Sequence, residues 1–162
     1  MNTTSLKRLL DACFTAKHII ETMPALPKGM KPRHIHVLDS VDEVCREQGE
    51  CRVGDVSGRL NITMPSITKL IQELEVMGLL EKYGDRADKR VYLLRLTDRG
   101  EEYVRKYVRE FHEEWVKGLG DISDGQAEEG IKLIEKLQSA MPGIGAGDVA
   151  GAAKGCAPIR IR

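Results

Sequence analysis

From Thr63 to Lys69 the chain reads Thr-Met-Pro-Ser-Ile-Thr-Lys, a run suited to polar edges and to anions. Thr63, Ser66 and Thr68 carry hydroxyls that both donate and accept, and Lys69 adds a cation. Pro65 suits the first turn of a helix that starts after Thr63, a good N-cap type. Small hydroxyls and a lysine near a helix start can reach base edges and phosphates in a DNA major groove. Further on, Arg86, Lys89 and Arg90 cluster in the polar stretch 84–90 between two extended runs. Cations at such a hairpin tip suit an adjacent minor groove. No nucleophile–base pair, paired carboxylate motif or phosphate loop accompanies them, so the reading is a non-enzyme that needs no cofactor. His34 and His36 with Cys45 or Cys51 do not make a metal site by spacing. An i, i+2 pair on a helix points to different sides, and Cys-x5-Cys is not a zinc pattern. The expected placing is one histidine at the helix start and the other on its polar side.

The elements that must hold these groups follow from periodicity. Leu6, Leu9, Leu10, Cys13, Ala16, Ile20 and Met23 recur at steps of three and four, one helical stripe ended by Pro24. A proline-rich loop follows. A second helix carries Ile35, Leu38, Val41 and Cys45 inward and stops near Gly49. A short helix covers 53–60. The helix after Thr63 turns Ile67, Leu70, Ile71 and Leu74 inward and ends at Gly78, an expected left-handed cap. Residues 79–83 and 91–96 read as two short strands. Thr97 and Asp98 open a long helix with Val104, Val108, Phe111, Trp115 and Leu119 on one side. Ser123 or Asp124 caps the last, with Ala127, Ile131, Ile134, Leu137 and Met141. The Gly/Ala-rich end shows no helical stripe.

The class is mainly α with a small β-hairpin (α+β): a winged helix-turn-helix with flanking N- and C-terminal dimerisation helices. The expected division is an N-terminal helix and loop (1–33), a DNA-binding lobe (34–99), long C-terminal helices (100–141) and a tail (142–162). The 162 residues carry 25 basic and 25 acidic side chains, and that neutrality argues against nucleic acid only until it is divided. Basic groups exceed acidic ones by four in residues 1–33 and by three in 52–109. Acidic groups exceed basic ones by four in 34–51 and by five in 110–138. Phosphate binding responds to local potential within about 8–10 Å, not to the total. No apolar run approaches the ~18 residues of a membrane span, and no signal peptide opens the chain; a cytoplasmic protein is expected.

The run LNITMPSITKLIQELEVMGLLEKYGDRADKRVYLLRLTDRG resembles the core of the MarR family (multiple antibiotic resistance regulators). It carries the family's glycine after the recognition helix (Gly78), its Asp-x-Arg wing (Asp88-Lys89-Arg90) and its closing Leu-Thr-x-x-Gly (Leu96 to Gly100). The resemblance spans roughly residues 5–140. It implies a homodimer on an inverted-repeat operator of double-stranded DNA, with half-sites about one turn (~10 bp) apart. It implies that Arg90 enters the minor groove, oriented by Asp88, and that Thr63, Pro65, Ser66, Thr68 and Lys69 face the major groove. Glu73 departs from the pattern, standing where many relatives carry a basic residue. That implies one phosphate contact fewer, weaker nonspecific binding and a shallower salt slope.

Members of this family often hold a small effector between the dimer helices and the winged lobe. Phe14, His18, His34, His36, Leu38, Phe111 and Trp115 are the candidates for such a cleft here. Cys13 precedes Phe14, as in the family's organic-hydroperoxide-sensing branch. That branch pairs its cysteine with tyrosines at the start of the second helix, where this chain has His34 and no tyrosine before Tyr83. A buried structural thiol is therefore the expectation, with redox sensing as the alternative. A protein-docking use of the same fold would need a neutral wing and an apolar recognition helix, unlike this chain. The tail is expected to lie against the dimer partner or beneath the DNA-binding lobes.

Overall fold

The computed structural model describes residues 1–22, 24–84 and 91–140. Helix α1 (Thr3–Glu21) starts where the Asn2 side chain accepts from the Ser5 N–H at 2.8 Å. Helix α2 (Pro32–Gln48) opens on a proline, whose missing N–H is no loss there, and ends at Gly49 with φ 83°. Strand β1 (Cys51–Arg52), α3 (Val53–Leu60) and α4 (Met64–Val76) follow. The hairpin is β2 (Leu80–Gly84) and β3 (Tyr92–Leu96). The chain then runs through α5 (Asp98–Val104), a π-helical segment (Arg105–Arg109), α6 (Glu110–Gly118) and α7 (Asp124–Ser139).

The fold is mainly helical with a small antiparallel sheet of order β1-β3-β2, a winged helix. Leu80 stands opposite Leu96 and Tyr83 opposite Leu93. The third strand was not anticipated: β1 is two residues long and takes its identity from pairing Cys51 with Leu94. The long helix is not uniform either, because the π turn widens it and buries both Tyr107 and Val108 against α2.

Ile35, Leu38 and Val41 of α2, Val56 of α3, and Ile67, Leu70, Ile71 and Leu74 of α4 meet Leu79, Leu80 and Leu94 in one core. The expected inward face of α4 is thus the buried one. Helices α1, α6 and α7 contribute no buried residue. Cys13 is accordingly half-buried rather than a core thiol, because α1 buries no residue against the rest of the described chain. No helix among the described residues is long and apolar enough to cross a membrane. The tail, and with it the expectation about its packing, lies outside the described residues.

Candidate nucleic-acid interface and the cavity behind it

The turn into α4 is built by local chemistry. Asn61 closes α3 in the left-handed region (φ 51°), a conformation its short polar side chain tolerates. The Ser57 hydroxyl donates to the Ile62 carbonyl at 2.6 Å. Thr63 occupies the N-cap, but its side chain caps no backbone N–H; its hydroxyl donates to Ser66 Oγ at 3.1 Å. The helix start therefore keeps N–H groups free for an anion. Thr68 donates its hydroxyl proton to the Met64 carbonyl at 2.8 Å, so only the acceptor side of that oxygen is left to read a base donor.

Opposite the buried face, Thr63, Pro65, Ser66 and Lys69 are exposed and Thr68 is half-buried. Gln72, not anticipated, is exposed one turn beyond Thr68 and is a residue type that pairs bidentately with adenine. The i+4 spacing from Thr68 is the signal that could have found it.

The end of α4 accounts for the closing motif. The Gly78 N–H reaches the Glu75 carbonyl and the Leu79 N–H reaches that of Leu74, at 2.9 and 3.0 Å, with Gly78 at φ 69°. That is a Schellman termination, and the positive φ is why glycine stands there. Arg99 Nη1 donates to the Met77 carbonyl at 3.1 Å and the Thr97 hydroxyl to that of Gly78 at 2.8 Å. Thr97 also caps α5 through the Gly100 N–H. Leu-Thr-x-x-Gly thus clamps the hairpin's far strand onto the end of α4.

The wing stem places Lys82 over the Tyr92 ring at 4.2 Å and Arg95 beside Glu81 at 2.7 Å. Arg86, Asp88, Lys89 and Arg90 lie outside the described residues.

His34 and Glu73 explain each other. His34 is fully buried; its Nδ1 accepts the Lys31 N–H at 3.2 Å and its Nε2 lies 2.7 Å from Glu73 Oε2. Nδ1 must therefore offer a lone pair, which puts the ring proton on Nε2, donating to the carboxylate. Lys31 Nζ adds a contact at 3.3 Å. The His34 hydrogen bond, and after it Lys31, hold the Glu73 carboxyl below its ordinary range. The acid is turned inward as a tie from α4 to the start of α2. Glu73→Ala should lower specific affinity about threefold to tenfold while freeing Lys31 and steepening the salt slope. Glu73→Gln keeps an acceptor for His34 and should retain specificity. Anisotropy titrations across a salt series check this; an unchanged ratio of specific to nonspecific binding in the alanine variant would refute it.

Of the expected effector residues, His36, Phe111 and Trp115 come together in a cavity of about 260 Å³ with Ile20, Thr22, Ile35, Asp39, Tyr107, Val108 and His112. A neighbouring hollow of about 390 Å³ shares Thr22, Phe111 and Trp115 and adds Ile19 and Glu114. The others are placed elsewhere. His34 faces Glu73, Leu38 is in the core, Phe14 is 75% exposed and His18 is exposed on α1. His36 is not on a solvated face: it lines the cavity, its Nε2 is buried without a partner, and burial lowers its pKa. Asp39 and His112 were not anticipated; Asp39 lies three residues after His36, on the same side of α2. Burial, reinforced by Glu43 and Asp42, pushes the Asp39 carboxyl up to about 6. Among the described residues no cluster of three or more metal-ligating side chains occurs.

Residues 30–100 match the family described as a winged helix DNA-binding domain. Over 90 residues the chain is 28% identical to the uncharacterized HTH-type transcriptional regulator YsmB of Bacillus subtilis (strain 168), covering 56% of this chain. The match spans 59% of that relative's length. Among solved structures it is similar to Streptococcus pneumoniae FabT in complex with DNA (TM-score 0.63, 22% identity, 85% of this chain and 96% of that one). It is also similar to Bordetella bronchiseptica BpsR, whose DNA binding is regulated by 6-hydroxynicotinic acid (TM-score 0.61, 23% identity, 83% and 98%). At such identities the likeness is one of fold.

Proposed function

We propose, from the premise that this chain carries a winged helix DNA-binding domain in a MarR-like frame, that it is a transcriptional regulator. In this reading a cytoplasmic homodimer binds an inverted-repeat operator in double-stranded DNA, and a small effector adjusts its affinity. The observation that carries the reading is α4: Pro65, Ser66, Lys69 and Gln72 are exposed along one side while Ile67, Ile71 and Leu74 lock the other into the core. The wing flanks it, and Arg90 is assigned to the minor groove with Asp88 as its orienting partner. Arg86 and Lys89 are assigned to nearby phosphates.

Pairing of two chains is supported by apolar side chains that the single chain leaves uncovered: Leu10, Phe14 and Ile20 on α1, Val116 on α6, and Ile131 and Ile134 on α7. Effector control is supported by the cavity, which draws its walls from α1, α2, the π turn and α6. A ligand that binds two spacings of the recognition helices unequally shifts the dimer towards one of them.

Selection of genomic fragments with the purified protein should return an inverted repeat. Arg90→Ala should then weaken binding to it about tenfold or more, the loss of a groove contact worth ~1–3 kcal/mol, with the oligomeric state unchanged. Undiminished binding at moderate salt would remove the wing from the reading, and fragments without a shared repeat would remove the operator.

A further inference from the structure

The cavity behind the DNA-binding lobe is short of one positive charge. Asp39 lies in its wall, Glu114 lines the adjoining hollow, and no lysine or arginine is among the described residues lining either. The cations nearby are already engaged. Arg46 and Arg109 both reach Asp42, at 2.5 and 2.6 Å, and Arg59 reaches Glu43 and Glu47, at 2.8 and 3.0 Å. Asp42 and Glu43 on α2 add negative potential at Asp39, which Arg46 and Arg59 offset only in part. Glu21 at the end of α1 acts in the same sense at His36. The rest of the wall is aliphatic or aromatic, including Tyr107, Phe111 and Trp115. A carboxylate among ring faces is the arrangement that holds an organic cation, by charge and by attraction to the π quadrupole.

We propose that this cavity binds a small amphipathic organic cation, an aromatic amine or ammonium, with the Asp39 carboxylate as its counter-charge and the Phe111 and Trp115 rings as its walls. The proposal rests on the effector reading above and adds the chemistry of the effector. The volume of about 260 Å³ is near the lower end of small-ligand sites, roughly 300–1,000 Å³, and favours a single-ring occupant. An unpartnered His36 Nε2 in the wall gives an N–H or O–H of the occupant a place to bond.

The pH dependence has a definite sign. The cation binds the ionised carboxylate, so its affinity is flat above about 6, the empty-site value of Asp39. Below that it falls, by up to about tenfold per pH unit. Protonation of His36, which lines the same wall as His112, adds repulsion in the same direction.

Trp115 is the chain's single tryptophan and lines both hollows, so its fluorescence reads occupancy without DNA. The 162-residue chain is titrated with phenethylamine, with 3-phenylpropanoate and with neutral 2-phenylethanol, at about pH 7.5 and about pH 5.0. The amine should give a saturable change, with the anion and the alcohol at least tenfold weaker. The amine should also bind about tenfold more weakly at pH 5.0. Asp39→Asn should lose the preference for the amine. The proposal is overturned if the anion or alcohol binds as tightly, if the amine does not saturate, or if Asp39→Asn still selects it. Should that variant not fold, the three-ligand comparison and its pH dependence on the unmodified chain decide the matter. Because DNA is absent, failure here leaves the operator reading standing, and failure to find an operator leaves this titration interpretable.

Discussion

Gly100→Ala is expected to lower the unfolding temperature by about 5–15 °C and to weaken DNA binding along with it. A Cβ at position 100 would stand 2.0 Å from the Leu79 carbonyl oxygen and 3.1 Å from its carbon, where ordinary contact begins near 3.4 Å. The obstacle is backbone and cannot rotate away. That carbonyl also accepts the Thr97 N–H at 3.2 Å, so moving it loosens the clamp between the hairpin and the end of α4. Overpacking a tight site costs about 1–3 kcal/mol, sometimes more. With the weakened hydrogen bond added, a loss of roughly 2–4 kcal/mol follows. For a chain of this size each kcal/mol shifts the midpoint by about 2–4 °C. Gly58→Ala is the control: nothing lies within 4 Å of a Cβ there, and alanine in helix α3 should stabilise by up to about 1 kcal/mol. Thermal unfolding of the two variants side by side checks the argument. A Gly100→Ala midpoint equal to the parent's would mean that the motif's glycine has some reason other than this contact.

The same comparison of local and distant causes explains what could be read in the sequence. Thr63, Pro65 and Gly78 mark the ends of α4 because helix termini are decided by the few residues at each end. The stripe Ile67, Leu70, Ile71 and Leu74 is legible because burial imposes the helical period. Features with a partner far along the chain were not legible. Strand β1 exists because Cys51 finds Leu94, and His34 is buried because Glu73, 39 residues away, accepts from it. As sequence, a histidine near a helix start looks like a candidate for a cleft, and only the fold shows that its ring points at α4. The π turn is silent for a different reason. Val104, Val108, Phe111 and Trp115 keep steps of three and four across it, so one widened turn leaves the apolar period intact. Asp39 is one of five acids in residues 34–51, and its spacing does not set it apart from the other four. Its neighbours Asp42 and Glu43 are written in α2, but the cavity wall it shares with Ile20, Tyr107, Phe111 and Trp115 is made by elements far along the chain.

Phe14→Asp and Ile134→Asp should each turn the proposed dimer into monomers at micromolar concentration and abolish tight operator binding. In the single chain the two side chains are 75% and 49% exposed, so charging them costs a monomer almost nothing. A symmetric interface would feel each change twice. Burying a large apolar side chain is worth about 1.5–3 kcal/mol, so one substitution removes roughly 3–6 kcal/mol per dimer before the cost of desolvating a carboxylate. That corresponds to about a 10²–10⁴-fold rise in the dimer dissociation constant. A monomer reaches only one half-site, and its binding should approach the nonspecific level, about 10³-fold or more weaker. Sedimentation velocity on the parent and both variants, with anisotropy on the selected operator, measures the two effects together. Two results would sink the pairing of chains through α1 and α7. One is a parent that sediments as a monomer; the other is variants that dimerise and bind the operator as the parent does. The contrast with Gly100→Ala is diagnostic. That substitution strikes a buried contact within one chain and should act at any protein concentration, whereas the aspartates should act through mass action and lose force as concentration rises.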